Sequence, residues 1–310
     1  MMQCRRWVGD EIFLHKWIGS PPPEVVAGLR TGGEIMKTVR FLLASIVLIA
    51  SASNAAGTNC SGAELYSLET VQYGRWEIRM MAGAKSGTVS SFFTYYNNSH
   101  EGGTEPWREI DIEVLGKNPK GMQSNLITGT AKVRTTSDSF HVAEDLSRSF
   151  HTYTLEWTPD SVVWKLDGKR IRKNGADSQV VDLRSKPQSY RMNLWASAWP
   201  DWSGPFDVKS LPACQMINWI KFSKYTPGKG PKGSNWTESW VDDFDTFDDV
   251  RWGKGTWGFD GNFAQFTPAN LDLRDGMAVL ALTRKGEEGI GCGYSRGMYP
   301  EDPMGRKAPK

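Results

Sequence analysis

The stretch Glu109-Ile110-Asp111-Ile112-Glu113 alternates carboxylates with isoleucines, the period of a β-strand with one charged and one apolar face. Positions 109, 111 and 113 point one way, while Ile110 and Ile112 point into packing on the other. Three like charges on one pleated face repel one another, so folding alone gives no reason to choose them. Cleavage of a glycosidic bond gives one: it uses one carboxylate as nucleophile or base and one carboxylic acid as proton donor. In a flat strand the Cα atoms of Glu109 and Glu113 stand about 14 Å apart at about 3.4 Å per residue. Inward reach of both side chains over a curved sheet brings the carboxyls toward the ~5–5.5 Å of a retaining enzyme, not the ~6.5–9.5 Å of an inverting one. A solvated acidic strand face is the alternative that this stretch alone leaves open.

The neighbours favour the chemical reading. Trp107 shares the parity of Glu109. Phe93, Tyr95 and Asn97 share a face in SSFFTYYNN, Gln123 and Asn125 in MQSNLITG, and Arg191, Asn193 and Trp195 in YRMNLWASAW. Flat rings stack on the apolar faces of sugars, while amides and guanidinium groups bond their hydroxyls. A single Trp is more often a core residue, but the chain has 14 in 310 residues, several among polar same-face neighbours. That pattern suits a cleft.

The rest of the chain sets the frame. Short alternating runs at 75–82, 88–96, 109–115, 122–129, 151–157, 161–166, 169–173, 190–199, 216–225 and 277–284 read as strands, with no long run of helical period. Thr158-Pro159-Asp160 and Asp167-Gly168 read as hairpin turns. This is the texture of an all-β sandwich or jelly roll. The segment 226–234 (TPGKGPKGS) contains Gly228, Gly230 and Gly233 in GxGxxG spacing, but Pro231 within it and the Asn-Trp-Thr that follows offer no helix, so a loop is expected. Lys+Arg 37 against Asp+Glu 35, a net charge of +2, gives no electrostatic case for nucleic acid or an anionic membrane. The histidines lack metal-site or zinc-protease spacing, and no GxSxG elbow is present.

Met36-Lys37-Thr38-Val39-Arg40, the apolar run 41–50 and the small residues after it read as a secretory signal over 36–55, too short to span a bilayer. Residues 1–35 are then an upstream extension, 58–288 the folded domain and 289–310 a loose tail. A secreted monomer is expected, free of the membrane once the signal is removed. Domain ends often meet, which suggests a Cys60–Cys292 disulfide and leaves Cys214 as a buried thiol.

With these residues in view, the chain resembles glycoside hydrolase family 16, and within it the bacterial β-1,3-1,4-glucanases (lichenases), over roughly 61–286. The resemblance is carried by Glu109 through Gly116, Gln123-Ser124-Asn125, Tyr153-Thr154-Leu155-Glu156-Trp157 and Asn193-Leu194-Trp195. Laminarinase-type members usually carry an extra residue between the Asp and the second Glu; this chain has none. Val241 through Lys285 resembles the segment that opens most members, yet it closes this chain, which implies a circular permutation. The implied fold is a two-sheet, concanavalin A-like jelly roll with a concave substrate cleft.

By position, the resemblance makes Glu109 the nucleophile, Glu113 the general acid/base and Asp111 the assisting carboxylate. It implies sugar contacts from Phe93, Tyr95, Asn97, Trp107, Gln123, Asn125, Arg191, Asn193, Trp195, Trp202 and Trp257, and leaves Trp199 without a role. It also implies no catalytic cofactor, but a structural Ca²⁺ held by oxygens at Asn218, Asp243 and Gly276. The expected function is hydrolysis of a mixed-linkage β-glucan polysaccharide. Another family 16 specificity, or a non-catalytic glucan-binding lectin-like sandwich, stands as the alternative.

Overall fold

Alternation of apolar and polar residues becomes strand after strand in the computed structural model, which describes residues 59–289 and Cys292. The expected upstream extension, the signal and the tail beyond 289, Cys4 included, lie outside the described residues. The strands are β1 (Cys60–Ser67), β2 (Gly74–Met81), β3 (Thr88–Tyr95), β4 (Trp107–Leu115), β5 (Gly121–Gly129), β6 (Val133–His141), β7 (His151–Thr158) and β8 (Ser161–Leu166). They continue as β9 (Lys169–Asn174), β10 (Ser189–Ala196), β11 (Ala213–Tyr225), β12 (Trp236–Asp242), β13 (Trp252–Lys254), β14 (Ala264–Phe266), β15 (Leu271–Leu273) and β16 (Ala278–Arg284). Two short helices, α1 (Ser178–Leu183) and α2 (Pro200–Ser203), interrupt them.

Pairing runs β6-β5-β4-β3-β10-β1-β16-β11-β2-β7-β8-β9. The path turns over at β1, whose Ala63–Tyr66 stretch pairs with β10 while Cys60 and Ser61 pair with β16. The result is two sheets face to face, a jelly-roll sandwich as expected. Side chains from the two inner faces interlock: Trp76 of β2 meets Phe92 of β3 at 6.2 Å and Tyr190 of β10 at 5.9 Å. The Trp164 indole of β8 donates to the Asp111 carbonyl of β4 at 2.9 Å, tying the second sheet to the centre of the carboxylate strand. Ile110, Ile112 and Val114 are fully buried in this core, so their burial fixes which face β4 turns outward.

Two tight places explain residues that packing alone would not choose. Asp167 and Gly168 have φ of 48° and 76°, the left-handed pair of a two-residue hairpin between β8 and β9. At the exit of β4, a Cβ on Gly116 would stand 1.6 Å from the Lys85 carbonyl oxygen, so only glycine lets that backbone pass.

The structure reverses the expected cysteine pairing. Cys214 and Cys292 form a disulfide, and Cys60 is free and buried. Alternation explains it: Cys60 faces the sandwich core, whereas Cys214 lies on the outer side of β11 with Met81, Met216, Val279 and Ala281, where Cys292 also packs. Burial pushes the Cys60 thiol up to about 12. The GxGxxG segment is the loop it was expected to be, joining β11 to β12. The run expected at 190–199 ends as a strand at Ala196, because Trp199 and Pro200 open α2.

Candidate active site

On the outer face of the first sheet, β4 presents Trp107, Glu109, Asp111 and Glu113 in a line. Cross-strand register places Glu109 between Tyr95 and Ile127, Asp111 between Phe93 and Asn125, and Glu113 between Ser91 and Gln123. Beyond β3, Arg191 lies opposite Phe93 and Asn193 opposite Ser91. One strand further, Tyr66 faces Arg191 and Glu64 faces Asn193. No register shift interrupts β4 against either neighbour, so the three carboxylates keep strict alternation.

Each carboxylate has its own donors. Trp107 Nε1 donates to Glu109 Oε2 at 2.5 Å. Asn125 Nδ2 donates to both Asp111 Oδ2, at 2.9 Å, and Glu113 Oε2, at 2.8 Å. Burial is the main force on all three acids. It pushes Glu109 up to about 7 against the Trp107 and Asp111 hydrogen bonds and the Arg191 charge. It pushes Glu113 up to about 7 as well, opposed by the Asn125 amide and helped by the charge of Glu109. Asp111, 4 % exposed, is raised well above the usual carboxylate range by burial and by the charges of Glu109 and Glu113. Its Oδ1 is buried with no amide or hydroxyl donor. A proton on Asp111 directed at Glu109 resolves that orphan; it fits the upward shift of Asp111 and eases, without cancelling, the upward pull of burial on Glu109.

The residues expected to touch sugar gather around this line. Tyr95 meets Trp107 edge-on at 5.9 Å and Phe93 at 6.4 Å. Arg191 stacks over Tyr95 at 5.1 Å and Trp257 at 5.5 Å, and donates to Asn97 Oδ1 at 2.7 Å. Asn193 accepts from Ser91 at 2.5 Å. Trp202 reaches across from α2 and donates its indole N–H to Gln123 Oε1 at 2.7 Å, which roofs the Glu113 end of the row. Trp195 lies on the expected face but is 5 % exposed, beneath Trp199, Trp202 and Phe259.

Sequence reasoning missed Glu64 and Tyr66. Glu64 pairs with Arg191 at 2.9 Å and accepts from Asn193 at 3.1 Å, so it anchors both groups from beneath. Tyr66 meets the Trp257 ring at a tilt, with centroids 5.1 Å apart, and lies under Arg191 at 5.6 Å. The available signal was their shared parity in CSGAELYS, a run without the β-branched residues that mark a strand.

The three residues expected around calcium lie at one margin of the second sheet. β11 pairs with β16 through Ile217 and with β12 from Ile220 onward, so Asn218 sits in the gap where the end of β12 and the start of β16 meet. Asp243 and Gly276 flank that gap. A Cβ on Gly276, whose φ is 68°, would lie 3.8 Å from the Asp243 carbonyl and 2.9 Å from Asp245 Oδ1. Carbonyl, amide and carboxylate oxygens are a hard donor set that fits Ca²⁺. Among the described residues no three His, Cys, Asp or Glu side chains cluster as a metal site, so any ion here leans on backbone oxygen.

The model for the family described as "Glycosyl hydrolases family 16" matches residues 36–221. A β-glucanase of Fibrobacter succinogenes is 49 % identical over 273 residues, 86 % of this chain and 76 % of that protein. A β-glucanase of Brevibacillus brevis is 35 % identical over 170 residues, 54 % of this chain and 61 % of that one. Among solved structures, the Bacillus licheniformis β-glucanase is 30 % identical with a TM-score of 0.44, covering 51 % of this chain and 70 % of its own.

Proposed function

The chain belongs to glycosyl hydrolase family 16 and is a glycoside hydrolase; on that premise we propose that it is a secreted, retaining endo-β-1,3-1,4-glucanase. The observation that carries the reading is the unbroken strand that aims Glu109 and Glu113 at one face with unequal hydrogen bonding. Glu109 accepts from Trp107 and from the Asp111 carboxyl, two donors that favour its anion. Glu113 receives the shared Asn125 amide and feels the Glu109 charge, so it holds the proton.

Glu109 attacks the anomeric carbon while the bond to the leaving chain breaks, and the Glu113 proton passes to the leaving oxygen. The Glu113 carboxylate then takes a proton from water, whose oxygen displaces Glu109 and restores both groups. Asp111 keeps its proton and modulates the charge on Glu109. The straight register of β4 supports mixed-linkage over laminarinase-type specificity, since an inserted residue would bulge that strand. Assays on lichenan and laminarin, with NMR of the first-formed anomer, test the proposal. Faster cleavage of lichenan with an initial β-anomer is expected; a preference for laminarin or an initial α-anomer would overturn it.

A structural Ca²⁺ at Asn218, Asp243 and Gly276 is supported by the hard oxygens these residues offer at one sheet margin. Circular permutation is supported by the pairing of Cys60 with Arg284, which sets the two ends of the domain side by side. A chain reopened near Gly230, with residue 289 joined to 59, should fold and stay active; an insoluble product would count against permutation. Secretion rests on the 36–55 signal, and sequencing the N-terminus of protein recovered from the medium tests it.

A further inference from the structure

The outer face of the first sheet is asymmetric about its carboxylate strand. On the β3, β10 and β1 side stand Phe93, Tyr95, Tyr66 and Trp257, with Arg191 threaded among them. On the other side the sheet ends in β6, whose Thr135, Ser137 and Ser139 lie opposite Ile127, Asn125 and Gln123 and so face the same way as the catalytic row. The alternate residues of β6 point the other way and are engaged there: Thr136 donates to Gln179 of α1, and Asp138 pairs with Arg172. Among the described residues the three outward hydroxyls have no side-chain hydrogen bond. They form a ladder of open donors and acceptors at the end of the same transverse rows that hold Glu109, Asp111 and Glu113.

We propose that Thr135, Ser137 and Ser139 form a weak sugar subsite for the segment of the glucan that leaves, the reducing-end side of the cleaved bond. β6 lies two inter-strand spacings from β4, about 10 Å. A chain laid across the strands therefore passes from the rings, over the carboxylates, onto the hydroxyls. Retention requires the glycosyl part to stay bound through the covalent intermediate while the other part departs. Rings and a guanidinium hold a sugar by stacking, and hydroxyls only exchange one hydrogen bond with water for another. The tight side then keeps the glycosyl-enzyme and the weak side releases product. The proposal rests on the β-glucanase reading.

The test compares two substrates on one variant. Lichenan spans the whole face, whereas a mixed-linkage trisaccharide with a nitrophenyl leaving group ends before β6. In the variant Thr135→Val/Ser137→Ala/Ser139→Ala, the ratio of kcat/KM on lichenan to that on the aryl trisaccharide should fall about tenfold, the product of three modest hydrogen bonds. Ser137→Ala alone should lower the ratio about twofold. Because the ratio cancels any loss of folded enzyme, an unchanged or increased value in both variants overturns the subsite. A wild-type protein that cleaves neither substrate would instead overturn the glucanase reading on which it rests.

Discussion

Glu113 carries a cost that its chemistry explains. Burial raises Glu109 and Glu113 to about 7, above the ordinary value of about 4.3, so between those limits the folded protein holds protons that the unfolded chain has released. Their stabilising contribution is complete below about pH 4.3 and is lost as pH rises through about 7. Glu113→Gln keeps the acceptor for Asn125 but cannot ionise. It should melt about 3 °C above the wild type at pH 8 and at the same temperature near pH 4, while losing turnover of lichenan. Calorimetry at the two pH values checks this, and an equal difference at both would show that ionisation is not the source. The carboxylate line itself was legible because alternation within one strand is a local property. Glu64 was not, because its meaning lies in Arg191 and Asn193 on a neighbouring strand, more than a hundred residues away in the chain.

At the scale of elements, the strands that could be read were those with apolar side chains on one face, such as β2, β4, β8 and β11. β6 escaped notice because both its faces are polar, one open and the other meeting α1 and Arg172. β12 escaped for a related reason: its sequence WTESWVD is exposed or half-buried throughout, at the sheet margin. That margin is also where calcium is expected, since the gap between β12 and β16 leaves Asn218 without a continuous partner strand. Chelation by EDTA should therefore lower the melting temperature by about 5 °C, and Ca²⁺ should restore it, as expected for a ligand well above its dissociation constant. Mg²⁺ should restore less, because it tolerates a flexible carbonyl cage poorly. Asn218→Ala should remove the EDTA effect; a variant that still responds would move the ion elsewhere.

At the scale of the whole molecule, the described domain closes on itself near its ends, and there the cysteines distinguish proximity from direction. The expectation that domain termini meet was sound, since Cys60 pairs in register with Arg284, but proximity alone did not choose the disulfide partner. Side-chain direction did, turning Cys60 inward and Cys214 outward toward Cys292. The bond spans a sequence separation of 78 residues and encloses most of β11 and every later strand. Loop closure of that length removes unfolded-state entropy worth about 4.5 kcal/mol, an upper figure for a real protein. Reduction, or Cys292→Ser, should then lower the melting temperature by on the order of 10 °C, and a reductant should add nothing to the variant. Cys60, raised to about 12 by burial, should resist alkylation until the protein unfolds. Non-reducing peptide mapping reads both at once: a Cys214–Cys292 peptide with Cys60 labelled only after denaturation is the expected pattern. A Cys60–Cys292 peptide would mean that the inner face of β1 opens to the tail, which its burial in the core forbids.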